Sequence, residues 1–211
     1  MAVAALLVCA APKAQAEYPW LQDIVNTYLT NTYGSSHIGI NVATDEVLGA
    51  ELFTLANLQP GSQLLAEVAG YKDLNKLSWY TTNAGMGSIT NSGTIFNPLD
   101  SPVLNSFFVP TGGTYLGFYI GSPQGNFYSE IGRNVDSFQH FRVFADPNYA
   151  GPGSKYIVGT EDVLVGSSDR DYNDMVFTLS KINAVPEPAS MMLLGLGLLG
   201  AFGFARRKLV K

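Results

Sequence analysis

Residues 166–182, GSSDRDYNDMVFTLSKI, decide how this chain folds. Asp169, Asp171, Asn173 and Asp174 crowd three carboxylates and an amide together, directly ahead of the apolar run that starts at Met175. Asp169, Asp171 and Asn173 stand at i, i+2 and i+4, a spacing that turns side-chain oxygens toward one centre in the first half of a calcium loop. An EF-hand would next need Gly where Asp174 stands and a bidentate Glu where Ser180 stands. Neither is present, and Met175, Val176, Phe177, Thr178 and Leu179 alternate with the two-residue period of a strand rather than a helix. The stretch is therefore an acidic loop feeding a β-strand.

Outward from it the texture stays β. SQLLAEVAGY (62–71), NKLSWYTT (75–82), SFQHFRVFAD (137–146) and SKYIVGTEDVLVG (154–166) each predict a strand, with Leu64 or Leu65 pointing inward. Shorter strands are expected over 105–109, 114–120 and 126–130, with Gly112-Gly113 and Ser122-Pro123-Gln124-Gly125 as their turns. The Gly- and Asn-rich segment 82–100 reads as connection, with a strand at most over 93–96. Ahead of these, Trp20, Leu21, Ile24, Val25, Tyr28 and Leu29 space as one short amphipathic helix, and 31–59 holds a strand or two. With 22 Gly, 11 Pro, 11 Tyr and 12 Phe in 211 residues, the chain is expected to be all-β, a β-sandwich or jelly roll of seven to nine strands. The β domain spans 61–184, and 17–60 packs on it.

The acidic loop has partners upstream. Glu161 and Asp162 end the strand pattern, and pairing across Gly166-Ser167-Ser168 would bring all five carboxylates together. Like charges so placed need a cation or donors. A hard divalent ion suits such an oxygen-rich site, calcium before magnesium because it tolerates irregular geometry. The expected ligands are Glu161, Asp162, Asp169, Asp171, Asn173 and Asp174. A second reading stays open, in which Arg170 and local backbone N–H groups neutralise the acids in an Asx-rich turn without metal.

Charge and the termini bound the setting. Between Glu17 and Pro188 stand 17 acidic and 7 basic residues, a net of −10 that argues against nucleic-acid binding. Cys9 is the only cysteine, so no intramolecular disulfide holds the fold. MAVAALLVCAAPKAQA (1–16) is an apolar run closing on Ala-Gln-Ala, a signal-peptidase pattern with cleavage expected between Ala16 and Glu17; a buried N-terminal helix is the alternative. At the other end come Val185-Pro186-Glu187-Pro188, the uncharged residues 189–205, then Arg206, Arg207 and Lys208. As a helix, 189–205 reaches about 26 Å, enough for a single transmembrane span whose basic end stays cytoplasmic.

This tail (185–211) resembles the PEP-CTERM sorting signal of Gram-negative bacteria. The resemblance implies export through the inner membrane, a transient anchor there, and recognition by an exosortase that removes the tail. It also implies a cell-surface or extracellular destination and a link to extracellular polysaccharide and biofilm. Glu161-Asp162, Gly166 and the run from Asp169 to Val176 resemble the closing motif of DUF4114, a family of exported bacterial proteins of unknown function. Supporting stretches are 64–71, 117–130 and His140, and the resemblance spans 62–182.

No enzyme is expected. His37 and His140 are far apart in sequence, and His140 sits in an aromatic strand as a hydrogen-bonded structural residue. No Gly-x-Ser-x-Gly elbow or phosphate-binding Gly loop occurs. A carboxylate pair for glycoside hydrolysis, such as Glu130 with Asp162, is the remaining catalytic alternative. The leading expectation is a calcium-stabilised structural protein of the cell surface or matrix. The alternative is a carbohydrate-binding module with a platform drawn from Trp79, Tyr80, Tyr115, Phe118, Tyr119, Phe127 and Tyr128. Homo-oligomer formation through an edge strand stays open.

Overall fold

The computed structural model describes residues 20–55, 60–68, 71, 74–98, 104–106 and 113–185. The leader, the Ala16–Glu17 junction and the tail from Pro186 on, with Glu187, Pro188, Arg206, Arg207 and Lys208, lie outside the described residues. Among the described residues no helix is long and apolar enough to cross a membrane. The elements run α1 (Leu21–Tyr33), β1 (Leu52–Leu55), β2 (Gly61–Glu67), β3 (Lys76–Thr82), β4 (Ile89–Phe96), β5 (Leu104–Ser106), β6 (Tyr115–Ser122), β7 (Gly125–Tyr128), β8 (Phe141–Ala145), β9 (Ser154–Thr160) and β10 (Met175–Val185). A 3-10 turn, Ile131–Arg133, follows β7.

The strand after the acidic loop organises the rest. One edge of β10 takes β9, antiparallel from Met175↔Thr160 to Ser180↔Lys155. The opposite edge takes β2 up to Ser180↔Gly61, then β1 from Ile182↔Leu55 to Val185↔Leu52. The change of partner falls at Lys181, whose φ of 64° and register shift mark a bulge that redirects the strand. Through Phe53↔Leu116, β1 hands the network on to β6, which carries β3 and β7, and β4 lies outside β3. The described residues are mostly β, with α1 the one α-helix among them, as expected for that part of the chain, and their strands form one hydrogen-bonded network of two limbs. Residues 52–55, within the segment expected to hold a strand or two and to pack on the domain, form the strand that joins those limbs.

Alternation sorts the side chains. Met175, Phe177 and Leu179 join Phe141, Val143, Tyr156 and Val158 in a core shared with Phe53, Leu77, Trp79, Leu116, Phe118 and Phe127 of the other limb. Val176, Ile157 and Phe144 face the other way and are covered by Leu21, Ile24, Val25, Tyr28 and Leu29 of α1. Alternation sends Leu64 and Leu65 to different cores, and the bulge opposite Val176 and Phe177 leaves Leu65 and Ala66 against the same one. At thirteen residues α1 is marginal alone, so this burial is what holds it. It stops at Gly34, whose φ of 77° lets its N–H cap Thr30 O at 2.9 Å. Trp20, assigned from its spacing to the apolar face, is 57% exposed and lends only its carbonyl to the first turn.

β4 is twice the expected length because its pairing with β3 outweighs its poor strand composition. Gly93 lies beneath the Trp79 ring, where an added Cβ would come within 2.7 Å of ring carbons. The glycine that reads as a breaker makes room for a core indole.

Candidate metal centre

The neck of the acidic loop is closed where the Asp174 N–H donates to Thr160 O at 3.2 Å, just before β10 begins. Glu161 and Asp162 are neighbours in sequence, yet their side chains enter different clusters. The six expected ligands are therefore divided, and the single five-carboxylate centre expected from the sequence is not formed.

The first cluster holds Glu161, Asp169 and Asp171, each offering a carboxylate oxygen within 4.8 Å of the others. Glu161 is fully buried, Asp171 half-buried and Asp169 exposed, so the cluster opens to solvent on one side. Glu161 Oε1 accepts the Tyr172 N–H at 2.7 Å, and its Oε2 accepts the Ser168 hydroxyl. Asp171 accepts the Asn173 N–H at 3.3 Å and Asn173 Nδ2 at 2.6 Å. Asn173 thus orients Asp171, with its amide nitrogen rather than its oxygen turned to the acids. Backbone donors do reach the cluster, but Arg170 does not neutralise it. Its guanidinium lies over the Phe138 ring, 5.5 Å from the centroid, and it makes no ion pair among the described residues. Arg170 and Tyr172 have φ of 63° and 56°, the left-handed turns that swing the arginine out and bring the Tyr172 N–H onto Glu161.

The second cluster is Asp162, Asp174 and Asn75, all at most 5% exposed. Asp174 Oδ2 accepts the Asp162 N–H at 2.8 Å, and Asn75 Nδ2 donates to Asp162 Oδ2 at 2.7 Å. The Ser122 hydroxyl holds the Asp162 carbonyl at 2.6 Å, tying the β6–β7 hairpin to the loop. Burial raises the pKa of both acids, and for Asp174 the Asp162 charge adds to it. Burial likewise raises Glu161 and Asp171, with the Asp169 charge contributing in both. These carboxyls are thus poised to take up either protons or a cation.

Sequence reasoning missed Ser168 and Asn75. Ser168 lay in the turn already singled out, whereas Asn75, 87 residues from Asp162, carries no local motif.

His140 is buried and hydrogen-bonded, as expected, but stands one residue ahead of β8 rather than within a strand. It is fully buried, with Nδ1 3.0 Å from Glu161 O, Nε2 3.2 Å from the Asp136 carboxylate, and its ring stacked on Phe127 at 4.1 Å. Glu130 is engaged by the Tyr80 hydroxyl at 2.7 Å, by Arg133 and by the Met86 N–H. Of the expected aromatic platform, Trp79, Tyr80, Phe118 and Phe127 are buried, while Tyr115, Tyr119 and Tyr128 are half-buried. At the far end, Val185 is still paired with Leu52, so Pro186 follows the last paired residue of β10 directly.

Residues 184–208 match the PEP-CTERM protein-sorting motif. Residues 106–181 match DUF4114, a domain of unknown function, which covers the acidic loop but leaves Asn75 and β1–β4 upstream. No curated protein and no solved structure matches the chain.

Proposed function

We propose that this chain, which carries a PEP-CTERM sorting motif behind a DUF4114 domain, is a structural protein of the cell surface or extracellular matrix whose fold calcium stabilises. The motif marks an exported protein sorted at the membrane by exosortase, with a surface or extracellular destination. The calcium reading is supported by one observation above others. Glu161, Asp169 and Asp171 bring carboxylate oxygens within 4.8 Å of one another, and no Lys or Arg among the described residues pairs with them. A divalent cation there would be held by oxygen donors alone, in a loop irregular enough for calcium. Its role would be to fasten the loop between β9 and β10, and association with surface polysaccharide would follow from the address rather than from catalysis.

The test is the thermal unfolding midpoint of the full chain, purified in detergent, in excess EDTA, in millimolar calcium and in millimolar magnesium. An ion that binds only the folded state must raise the midpoint by mass action. A calcium-specific rise is expected, and equal midpoints in all three would remove the metal from the proposal. A second reading, a carbohydrate-binding module, rests on the half-buried tyrosines Tyr115, Tyr119 and Tyr128, the last two with centroids 5.3 Å apart. Retardation in gels containing bacterial polysaccharide, abolished by Tyr119→Ala, would favour it.

A further inference from the structure

Among the described residues the sheet has edges at β4, β5, β7 and β8. β5 is only three residues long. On β7, the Asn134 side chain accepts the Tyr128 N–H at 2.6 Å and donates to the Tyr128 carbonyl at 2.9 Å. On β8, Glu46 bridges to Phe144 and the Val47 N–H donates to Val143 O at 2.8 Å. β4 differs. From Ile89 to Thr94 its outer side meets no strand among the described residues, and Thr90, Ser92 and Thr94 are exposed. It carries neither a charged residue nor a proline, the usual guards of an open edge. Bulges at either end leave residues 91–94 in regular register with residues 78–81.

Hydrogen-bond direction alternates along an antiparallel strand, which identifies the open groups. Phe118 directs its N–H and C=O to Ser129, on the β7 side. Trp79, opposite Phe118, therefore turns its own toward β4, and Gly93, opposite Trp79, turns back toward β3. The N–H and C=O of Ser92 and Thr94 then face outward. We propose that this edge pairs antiparallel with the same edge of a second copy, about a two-fold axis at Gly93 that sets Ser92 of each chain opposite Thr94 of the other. In that register the outward groups of both residues are matched, and the glycines meet on the axis with no side chains to collide. Charge selects the occupant. The body from Glu17 to Pro188 carries a net of −10, so two copies repel over most of their surface. β3, β4, β6 and β7 hold one charged residue between them, Lys76, so this limb is where two acidic copies can meet. Met86 and Ile89, 55% and 41% exposed, stand at the end of the same edge and add apolar area. The pairing goes beyond the calcium reading and depends on no bound ion.

Sedimentation velocity of the full chain in density-matched detergent, over about 1–100 µM, reads the association. Ser92→Glu/Thr94→Glu and Ser92→Lys/Thr94→Lys each set like charges opposite one another in the proposed register. The parent is expected to pass from monomer to dimer across the range, and each charged variant alone to stay monomeric. An equimolar mixture of the two variants is expected to regain the dimer. Both positions are exposed, so the variants should unfold close to the parent midpoint. A dimer that persists in both variants places the association elsewhere, the tail included, and overturns the inference. Loss in both variants without recovery on mixing overturns the self-pairing. A parent that stays monomeric throughout also overturns it, and leaves the edge to an extended segment of another protein. Should the charged variants fail to fold, Thr94→Pro removes an outward N–H without touching the β3 ladder. Loss of the dimer in that variant supports the pairing, and its survival overturns it.

Discussion

The N–H of Asp162 donates to Oδ2 of Asp174 at 2.8 Å, linking the second residue beyond β9 to the residue just before β10. With the bond from Asp174 N–H to Thr160 O, it clamps the acidic loop at its neck and fixes where every carboxylate can reach. Asp174→Ala is therefore expected to lower stability by about 1–3 kcal/mol even in EDTA, because it leaves the buried Asp162 N–H without an acceptor. Asp174→Asn keeps an acceptor for the Asp162 N–H, so its loss in EDTA should stay under about 1 kcal/mol. Urea unfolding of the two variants side by side checks the contrast.

Burial raises the folded-state pKa of Glu161, Asp162, Asp171 and Asp174. Folding thus favours their protonated forms, a stabilisation fully present below the ordinary carboxylate pKa of about 4 and lost as pH rises through the raised values. In EDTA the unfolding midpoint should fall between pH 5 and pH 8, by the linkage relation. Asp45, held low first by the Asn41 backbone N–H, is ionised across that window and adds no slope. Saturating calcium should flatten or reverse the fall, since the cation binds the ionised forms. A midpoint that climbs with pH in EDTA would contradict the burial argument.

Gly117 lies against Tyr80, where an added Cβ would stand 2.2 Å from Cζ of the ring. Tyr80 cannot yield easily, because its hydroxyl is held by Glu130 and its ring lies under Arg133. Gly117→Ala should destabilise by at least the 1–3 kcal/mol or so of ordinary overpacking. A urea midpoint indistinguishable from the parent would show that the tyrosine has another place to go.

Leu29 is fully buried under the outer face of the β8–β9–β10–β2 limb. Leu29→Ala is expected to cost about 2–5 kcal/mol, as for other buried leucines. Equilibrium unfolding followed at once by tryptophan fluorescence and far-ultraviolet circular dichroism would measure the loss and show whether α1 melts with the sheet.

Several features were legible in the sequence because their causes are local. The alternation after Asp174 requires a strand, and Asp174 and Ser180 in the EF-hand's Gly and Glu positions exclude that motif wherever the chain goes. The spacing of Leu21, Ile24, Val25, Tyr28 and Leu29 makes one helical face, and the Pro-Glu-Pro, apolar and basic blocks of the tail declare a sorting signal. Tertiary structure alone decided how these parts meet. The division of Glu161 from Asp162 depends on how the loop turns between β9 and β10, and the placing of Arg170 over Phe138 depends on two left-handed residues and an aromatic neighbour from the segment ahead of β8. Asn75 reaches Asp162 only because β3 and β9 belong to one folded network, and Leu52–Leu55 becomes a joining strand only because Lys181 bends β10 toward it. Periodicity and motif are written into neighbouring residues, whereas the convergence of side chains from separate strands is set by which strands pair and in what register.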